Sequence, residues 1–329
     1  MAGAVQRKAN FGEYWGRLKG GIDIELEARV GEWFPGVPAA HLEALRAIPA
    51  DGKRLRGCLT CLVAEALGGR TESALPAAVS IEIIHAASLV HDDFVDGDTL
   101  RRGRPAPWTV LTPRRAVLLA DVMFATAIEK MAEAGPAEAA TVAHAIATVA
   151  RGAFQEMVDP LELERRVAAG ISELDAYPRI IQLKTGSLFA AAGRLGAIAA
   201  GAPPRQAEAA HEFGARTGQA YQVADDLAEV AELCERPELA WPRLPALAPA
   251  LLHFARTPRL PPLNVAAGGE AAFRKWFADA GAGVRQRMEE EIAVLAKRAR
   301  AALASFPDNE HTRMLGDAPA EFVRMMAAA

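Results

Sequence analysis

Alanine and leucine recur along this chain at intervals of three and four, and alternating β-branched runs are scarce. Apolar positions at that spacing fall on one face of a helix. The pattern predicts helices near 9–32, 38–49, 54–68, 74–96, 113–133, 137–160, 172–200, 205–231, 244–256, 270–279, 283–305 and 310–327. Gly and Pro clusters separate them: Pro35-Gly36-Val37-Pro38, Gly68-Gly69, Arg104 to Pro107, Gly201 to Pro204 and Pro258 to Gly269. None of these breaks is long or polar enough for an interdomain linker, and no repeat of solenoid period occurs. The chain reads as one all-α domain over 1–329. The stretches 141–150 and 188–200 are apolar almost all round, as is the run before Asp92, a pattern expected of helices central to a bundle.

One stretch departs from this pattern in an informative way. Ile81 to Trp108 reads IEIIHAASLVHDDFVDGDTLRRGRPAPW, an apolar helical run ending in Asp92, Asp93 and Asp96 and followed by Arg101 and Arg102. On a helix Asp92 and Asp96 share a face, with Cβ atoms about 5–6 Å apart. Acids at the end of a greasy helix are costly to bury without a cation. A hard divalent ion such as Mg²⁺, which takes carboxylate oxygens and completes its shell with phosphate, is the simplest answer. Asp225, Asp226 and Glu229 in GQAYQVADDLAEV repeat the arrangement. Two such clusters, each with an apolar helix before it, imply metals that a diphosphate bridges.

Composition narrows the choice of partner. Lys+Arg 37 against Asp+Glu 41 gives a net charge of −4, so no basic field points to nucleic acid. No signal-peptide core and no uncharged apolar run of about 18 residues is present, so an integral membrane segment is not expected and the location expected is cytoplasmic. Cys58 and Cys61 form a CxxC without a second Cys/His pair at zinc spacing, in the apolar CLTCLVAEAL, and read as buried structural thiols.

Basic residues occur where phosphates would need them. Lys53 and Arg56 lie at a helix start, where backbone N–H groups also favour anions. Lys184-Thr185 interrupts the apolar IIQLKTGSLFAAAG, and a lone lysine there calls for an anionic partner.

In their order, DGKRLRG (51–57), IHAASLVHDDFVD (84–96), RRGRP (101–105), AVLLADVMFATA (116–127), IIQLKTGSLFAAAGRLGA (180–197) and EFGARTGQAYQVADD (212–226) resemble the trans-isoprenyl diphosphate synthases, or polyprenyl synthetases. The resemblance implies a single-domain isoprenoid-synthase-type helical bundle with a central apolar cavity, assembled as a homodimer. It implies that Asp92 and Asp96 bind Mg²⁺ ions gripping an allylic diphosphate, and that Asp225 holds a further ion. Arg101, Lys184, Thr185 and Gln222 match positions around the allylic diphosphate. Lys53, Arg56, His85 and Arg102 match those binding isopentenyl diphosphate, while His91 reads as a packing group. Asp92, Asp96, Asp225 and Lys184 would carry catalysis, with no protein nucleophile or side-chain base. Ser88 and Ala87, four and five residues before Asp92, are small where a bulky aromatic would floor the cavity, which favours products of C20 or longer.

Two departures bear on function. The second cluster is DDLAE, ending in Glu229. The lysine-bearing loop usual after it is replaced by AELCERPELAWPRLPALAPALL, with no lysine between Lys184 and Lys275, leaving Arg236 or Arg243 to supply the charge. Two other functions stay open on the same fold: a terpene cyclase or prenyltransferase with another acceptor, and a regulatory subunit of a heteromeric synthase. Lys53, Arg56, His85 and Arg102 count against the first, and the intact Asp92 cluster against the second.

Overall fold

The computed structural model describes residues 11–38, 41, 46, 52–156, 176–236, 240–256 and 269–327. Their elements are α1 (Phe11–Trp33), α2 (Leu55–Ala66), α3 (Thr71–Asp96), β1 (Leu100–Arg101), β2 (Arg104–Pro105), α4 (Pro107–Leu111), α5 (Pro113–Ala134) and α6 (Pro136–Gln155). Then come α7 (Ala176–Ile181), a π-turn (Gln182–Gly186), α8 (Ser187–Ala199), α9 (Pro204–Glu235), α10 (Ala240–Ala255), α11 (Gly269–Ala302) and α12 (Glu310–Ala327). The fold is all-α apart from one small hairpin. Most of the helix expected at 38–49, with the segments 157–160 and 172–175, lies outside the described residues.

The chain divides into two compact units. One comprises Met1–His144, Ala191–Ala210 and Ser305–Leu315; the other comprises Ala145–Ala190, His211–Ala304 and Gly316–Ala329. In the first, α1 buries Trp15, Leu18, Ile22, Leu26 and Val30, the one-face spacing of an amphipathic helix. Helices α2 and α5 pack against α3, which is buried over most of its length. Helix α3 is long and apolar enough to cross a membrane, but 72% of its most apolar window is buried inside the protein, as in a core helix. Cys58 and Cys61 are fully buried in α2; burial raises both thiols, that of Cys61 to about 12, so they stay protonated and inert.

In the second unit, Tyr177 and Ile181 of α7, Val230 and Leu233 of α9, Leu251 and Phe254 of α10, and Phe273, Phe277 and Met288 of α11 form one apolar cluster. Helix α11 is continuous where a break was expected after residue 279. Gly281 lies in it because a Cβ there would stand 3.1 Å from Cys234 Sγ; it marks a close approach rather than a helix end. The hairpin and α4 were not foreseen. Arg102 and Gly103 both have positive φ (50° and 73°), the two-residue turn that matches strand twist, and Arg101 pairs with Arg104.

Helix α8 is buried nearly throughout, as its sequence implies. Helix α6 is not central. It buries Val142, Ala145 and Val149 on one face, while Ala143, Ala147 and Ala150 are exposed and Phe154 is 92% exposed. Alanine carries too little apolar area to dictate burial, so an alanine-rich face can remain on the surface.

Gly214 on α9 faces the backbone of α8 so closely that a Cβ would sit 2.1 Å from the Phe189 carbonyl oxygen. Gly214→Ala therefore forces the two helices apart and is expected to cost about 3 kcal/mol. Urea or thermal unfolding of the two proteins measures it, and equal stability would show that the helices part without cost.

Candidate active site

Helix α3 carries the first acid cluster on its last turn. Gly97 ends the helix in the left-handed region (φ 73°), and the amides of Gly97 and Asp98 both donate to the Asp93 carbonyl. Three carboxylates thus crowd the negative end of the helix dipole, and the last turn contains no base. Asp92 is half-buried, Asp96 exposed and Asp93 almost wholly buried at 1%. Arg101, held on the hairpin, donates from Nε and Nη2 to Asp93 Oδ1, while Asp93 Oδ2 is buried without a hydrogen-bond partner. Asp93 is therefore the carboxylate that locks the hairpin to the helix. His91 packs on the Phe124 ring at 5.6 Å, beside Asp121 at 3.4 Å, as the packing role requires.

The basic group converges seven residues earlier on the same helix. His85 lies within the electrostatic reach of Arg56, Arg102, Arg101 and Arg54; burial first, and then those four arginines, hold its pKa well below 6.5. The imidazole is neutral at pH 7. Sequence reasoning missed Arg54. It takes the left-handed conformation (φ 52°) just before α2, is 6% exposed, and donates to Asp23 at 2.7 Å with Glu82 at 3.9 Å. Its partners sit far off in sequence, so only their meeting in the fold reveals it.

The helix starts where expected, with Lys53 just before α2, its carbonyl accepting from the Trp15 indole at 3.3 Å, and Arg56 on the first turn. The Gly57 amide donates to Glu82 Oε1 at 2.8 Å, so the protein's own carboxylate satisfies that part of the helix terminus.

The second unit assembles the remaining residues. Lys184 and Thr185 lie in the π-turn, a distortion that often marks functional positions because it re-aims side chains. Lys184 is not a lone lysine: Glu156, just beyond α6, pairs with it. That carboxylate lies 28 residues away in sequence, with nothing local to announce it. Thr185 Oγ1 donates to Gln222 Oε1 at 2.7 Å, and Gln222 Nε2 donates to Asp226 Oδ1 at 2.9 Å. Tyr177, also unforeseen, donates to Asp226 Oδ2.

Asp225 projects to the surface, while Asp226 is turned inward. Burial, with Asp225 and Glu229 adding to it, outweighs the hydrogen bonds from Tyr177 and Gln222 and pushes Asp226 up to about 7. Glu229 is raised by burial and then by Asp225, with Arg243 opposing. Arg243 pairs with Glu232 at 2.6 Å and Arg236 approaches the same carboxylate at 3.6 Å. Both arginines of the altered segment thus lie one turn beyond Glu229. Residues 237–239 between them lie outside the described residues.

No single group of three or more His, Cys, Asp or Glu side chains among the described residues forms a closed metal cage. The donor chemistry nevertheless fits a hard cation completed by a ligand: Asp92, Asp96 and Asp225 offer only carboxylate oxygens, and the charge of Asp225 adds to the shifts of Asp226 and Glu229.

The family model for polyprenyl synthetase matches residues 39–235. This chain belongs to the polyprenyl synthetase family. Among its relatives, heptaprenyl diphosphate synthase component 2 of Geobacillus stearothermophilus is 37% identical over 209 residues, 63% of this chain and 62% of the relative. The (2E,6E)-farnesyl diphosphate synthase of Mycobacterium bovis is 32% identical over 250 residues, 75% of this chain and 66% of the relative. The matched segments thus span just under two thirds of these relatives' lengths. A solved structure, the polyprenyl synthase from Caulobacter crescentus CB15 complexed with calcium and isoprenyl diphosphate, superposes with a TM-score of 0.72 at 27% identity, covering 97% of this chain and 98% of that one.

The depressed pKa of His85 fixes a pH dependence. The unfolded chain protonates this imidazole near 6.5 and the folded protein only at lower pH, so below about 6.5 the unfolded state binds more protons. Its contribution to stability is full above that pH and is lost as pH falls. Urea unfolding between pH 7.5 and 5 should show a steeper loss for the native protein than for His85→Gln; parallel curves would contradict the assignment.

Proposed function

We propose that this chain is a Mg²⁺-dependent prenyltransferase that condenses isopentenyl diphosphate with an allylic diphosphate to give a linear trans-polyprenyl diphosphate of C20 or longer. The observation that carries this is the set of four arginines around neutral His85, on the helix that carries Asp92. A second diphosphate substrate needs such a group; a cyclase, which ionises one diphosphate and has no second to hold, does not. The family relationship to synthases named for farnesyl and heptaprenyl products supports the same reaction class.

Asp92 and Asp96 would hold Mg²⁺ and Asp225 a further ion; such ions supply positive charge that stabilises the departing diphosphate. Arg101, Lys184, Thr185 and Gln222 orient the allylic diphosphate, Lys184 adding charge stabilisation as the C–O bond breaks. Lys53, Arg56, Arg102 and His85 hold isopentenyl diphosphate, the neutral imidazole supplying an N–H donor. The alkene attacks the allylic cation, a C–C bond forms, and the proton leaves to the released diphosphate.

The chain acts as a homodimer in a cytoplasmic location. Leu118 and Val122, one turn apart on α5 and 57% and 40% exposed, support an apolar dimer face. A second reading is favoured by one relative being named a synthase component: the same face would then receive a different chain.

Purified protein with Mg²⁺ and dimethylallyl, geranyl or farnesyl diphosphate should yield longer linear diphosphates only when isopentenyl diphosphate is added. Hydrocarbons or alcohols without it would establish the cyclase. A monomer inactive in every combination would favour the heteromer. Chelation should abolish turnover, and Asp92→Ala should lower it by about 10³ without unfolding the helix; an unchanged rate would remove Asp92 from the site.

Chain length is set by the small residues preceding Asp92. Ala87 is fully buried and Ser88 is 8% exposed. Replacing Ala87 by Phe should shift the products toward C15 or shorter, read by chromatography of the dephosphorylated alcohols. An unaltered distribution would place the stop elsewhere.

A further inference from the structure

We propose that Tyr177 is a positioning residue for the second acid cluster, acting through Asp226 and Gln222 on Thr185; this rests on the proposed prenyltransferase reading. Tyr177 is 4% exposed and sits on the helix immediately before the π-turn. Its ring packs at 5.7 Å from His253 and edge-on at 5.3 Å from Phe254, both of α10. The hydroxyl donates to Asp226 Oδ2; burial, followed by the charge of Asp226, keeps the phenol protonated by raising its pKa well above the ordinary value.

Both oxygens of Asp226 are therefore claimed by protein donors, Oδ2 by Tyr177 and Oδ1 by Gln222. That fixes the carboxylate's direction: inward, while its neighbour Asp225 projects outward. It also fixes the Gln222 amide, whose NH₂ must point to Asp226 and whose oxygen must face Thr185. The Thr185 proton is thereby committed to Gln222, so what the pair offers a metal-bound diphosphate is the second Gln222 N–H for its oxygens and the Thr185 lone pairs for the cation's shell. A hydrogen-bonded line of four side chains thus runs from α7 through α9 to the π-turn that carries Lys184.

Tyr177 meets no substrate in this scheme. Its hydroxyl instead holds Asp226 against the repulsion of Asp225 and Glu229, which would otherwise turn it away. Without the hydroxyl the ring packing survives, but Asp226, Gln222 and Thr185 lose their shared orientation. Groups hydrogen-bonded behind metal ligands commonly alter metal affinity or activity 10–100-fold when removed. The hydrogen bonds of this line reach Gln222 and Thr185, both of the proposed allylic set, so loss of the hydroxyl should act on that substrate.

The test is Tyr177→Phe in the full chain. The expected result is an increase of about tenfold in the Mg²⁺ concentration for half-maximal turnover, with the KM for isopentenyl diphosphate changed by less than about twofold. Calorimetric titration of inorganic diphosphate in the presence of Mg²⁺, which needs no turnover, should show similarly weakened binding. Asp226→Asn keeps the volume, removes the charged acceptor and should give the same selective loss. Phe254→Leu loosens the ring packing without touching the hydroxyl, and should lower the melting temperature while leaving the Mg²⁺ requirement as in the native protein.

A folded Tyr177→Phe or Asp226→Asn with a native Mg²⁺ requirement overturns the proposal. So does an equal shift in both substrates, or a Phe254→Leu that reproduces the selective loss. Failure of the prenyltransferase reading itself looks different: the native protein then turns over no pairing of allylic and isopentenyl diphosphate.

Discussion

The structure depends on holding like charges together. Asp92, Asp93 and Asp96 share the last turn of one helix, at the end where the helix dipole is already negative. On another helix, Asp225 and Glu229 add to the burial that raises Asp226, and Asp225 adds to that which raises Glu229. Arg54, Arg56, Arg101 and Arg102 gather around an imidazole that burial first, and then their charge, keeps neutral. Within each group repulsion and burial act in the same direction, and pairs such as Arg54 with Asp23 and Arg101 with Asp93 offset only part of it. A fold keeps such groups when a partner of opposite charge completes them, and diphosphates with divalent ions bring both signs at once.

The packing of the helices is what makes this tolerable. Helix α3 is buried over 72% of its most apolar window, so its apolar stem anchors the acids at its end. In the second unit the Phe273–Phe277–Phe254 cluster does the same for α9 and α10. Gly214 lets two helices approach to a distance at which a Cβ does not fit, and Gly281 lets α11 close tightly on Cys234. Rigid stems hold charged ends where flexible ones would splay.

The sequence made the helices and the acid clusters legible because both depend on local spacing. Asp92 and Asp96, or Asp225 and Glu229, are four apart and declare a common helix face without any tertiary information. The misses are residues whose meaning lies in a distant partner. Arg54 answers to Asp23 and Glu82, Lys184 to Glu156, and Tyr177 to Asp226; none of these pairs has a periodic trace. The break expected in α11 failed for a related reason. The helix runs on through Gly281, whose place there answers to the proximity of Cys234. Alanine misled in the opposite sense, since the apolar face of α6 looked interior but lies largely at the surface.

The ion pairs of the cations expected to meet diphosphate show how the protein manages its own charge. Arg101 rests on Asp93 and Lys184 on Glu156, so each cation has a carboxylate behind it. Buried pairs of this kind contribute little net stability, because desolvation offsets most of the attraction. Their use is geometric: the carboxylate fixes where the cation stands while leaving its other donors able to turn to a ligand. A guanidinium that gives Nε and one Nη2 proton to Asp93 still has donors left for a ligand. A diphosphate then meets cations already aimed, and the entropy of ordering those long side chains is lost on folding rather than on binding. The altered segment after Glu229 follows the same rule, since Arg243 and Arg236 both stand against Glu232. Arg243 and Arg236 are thus each oriented by a carboxylate one turn past the acid cluster.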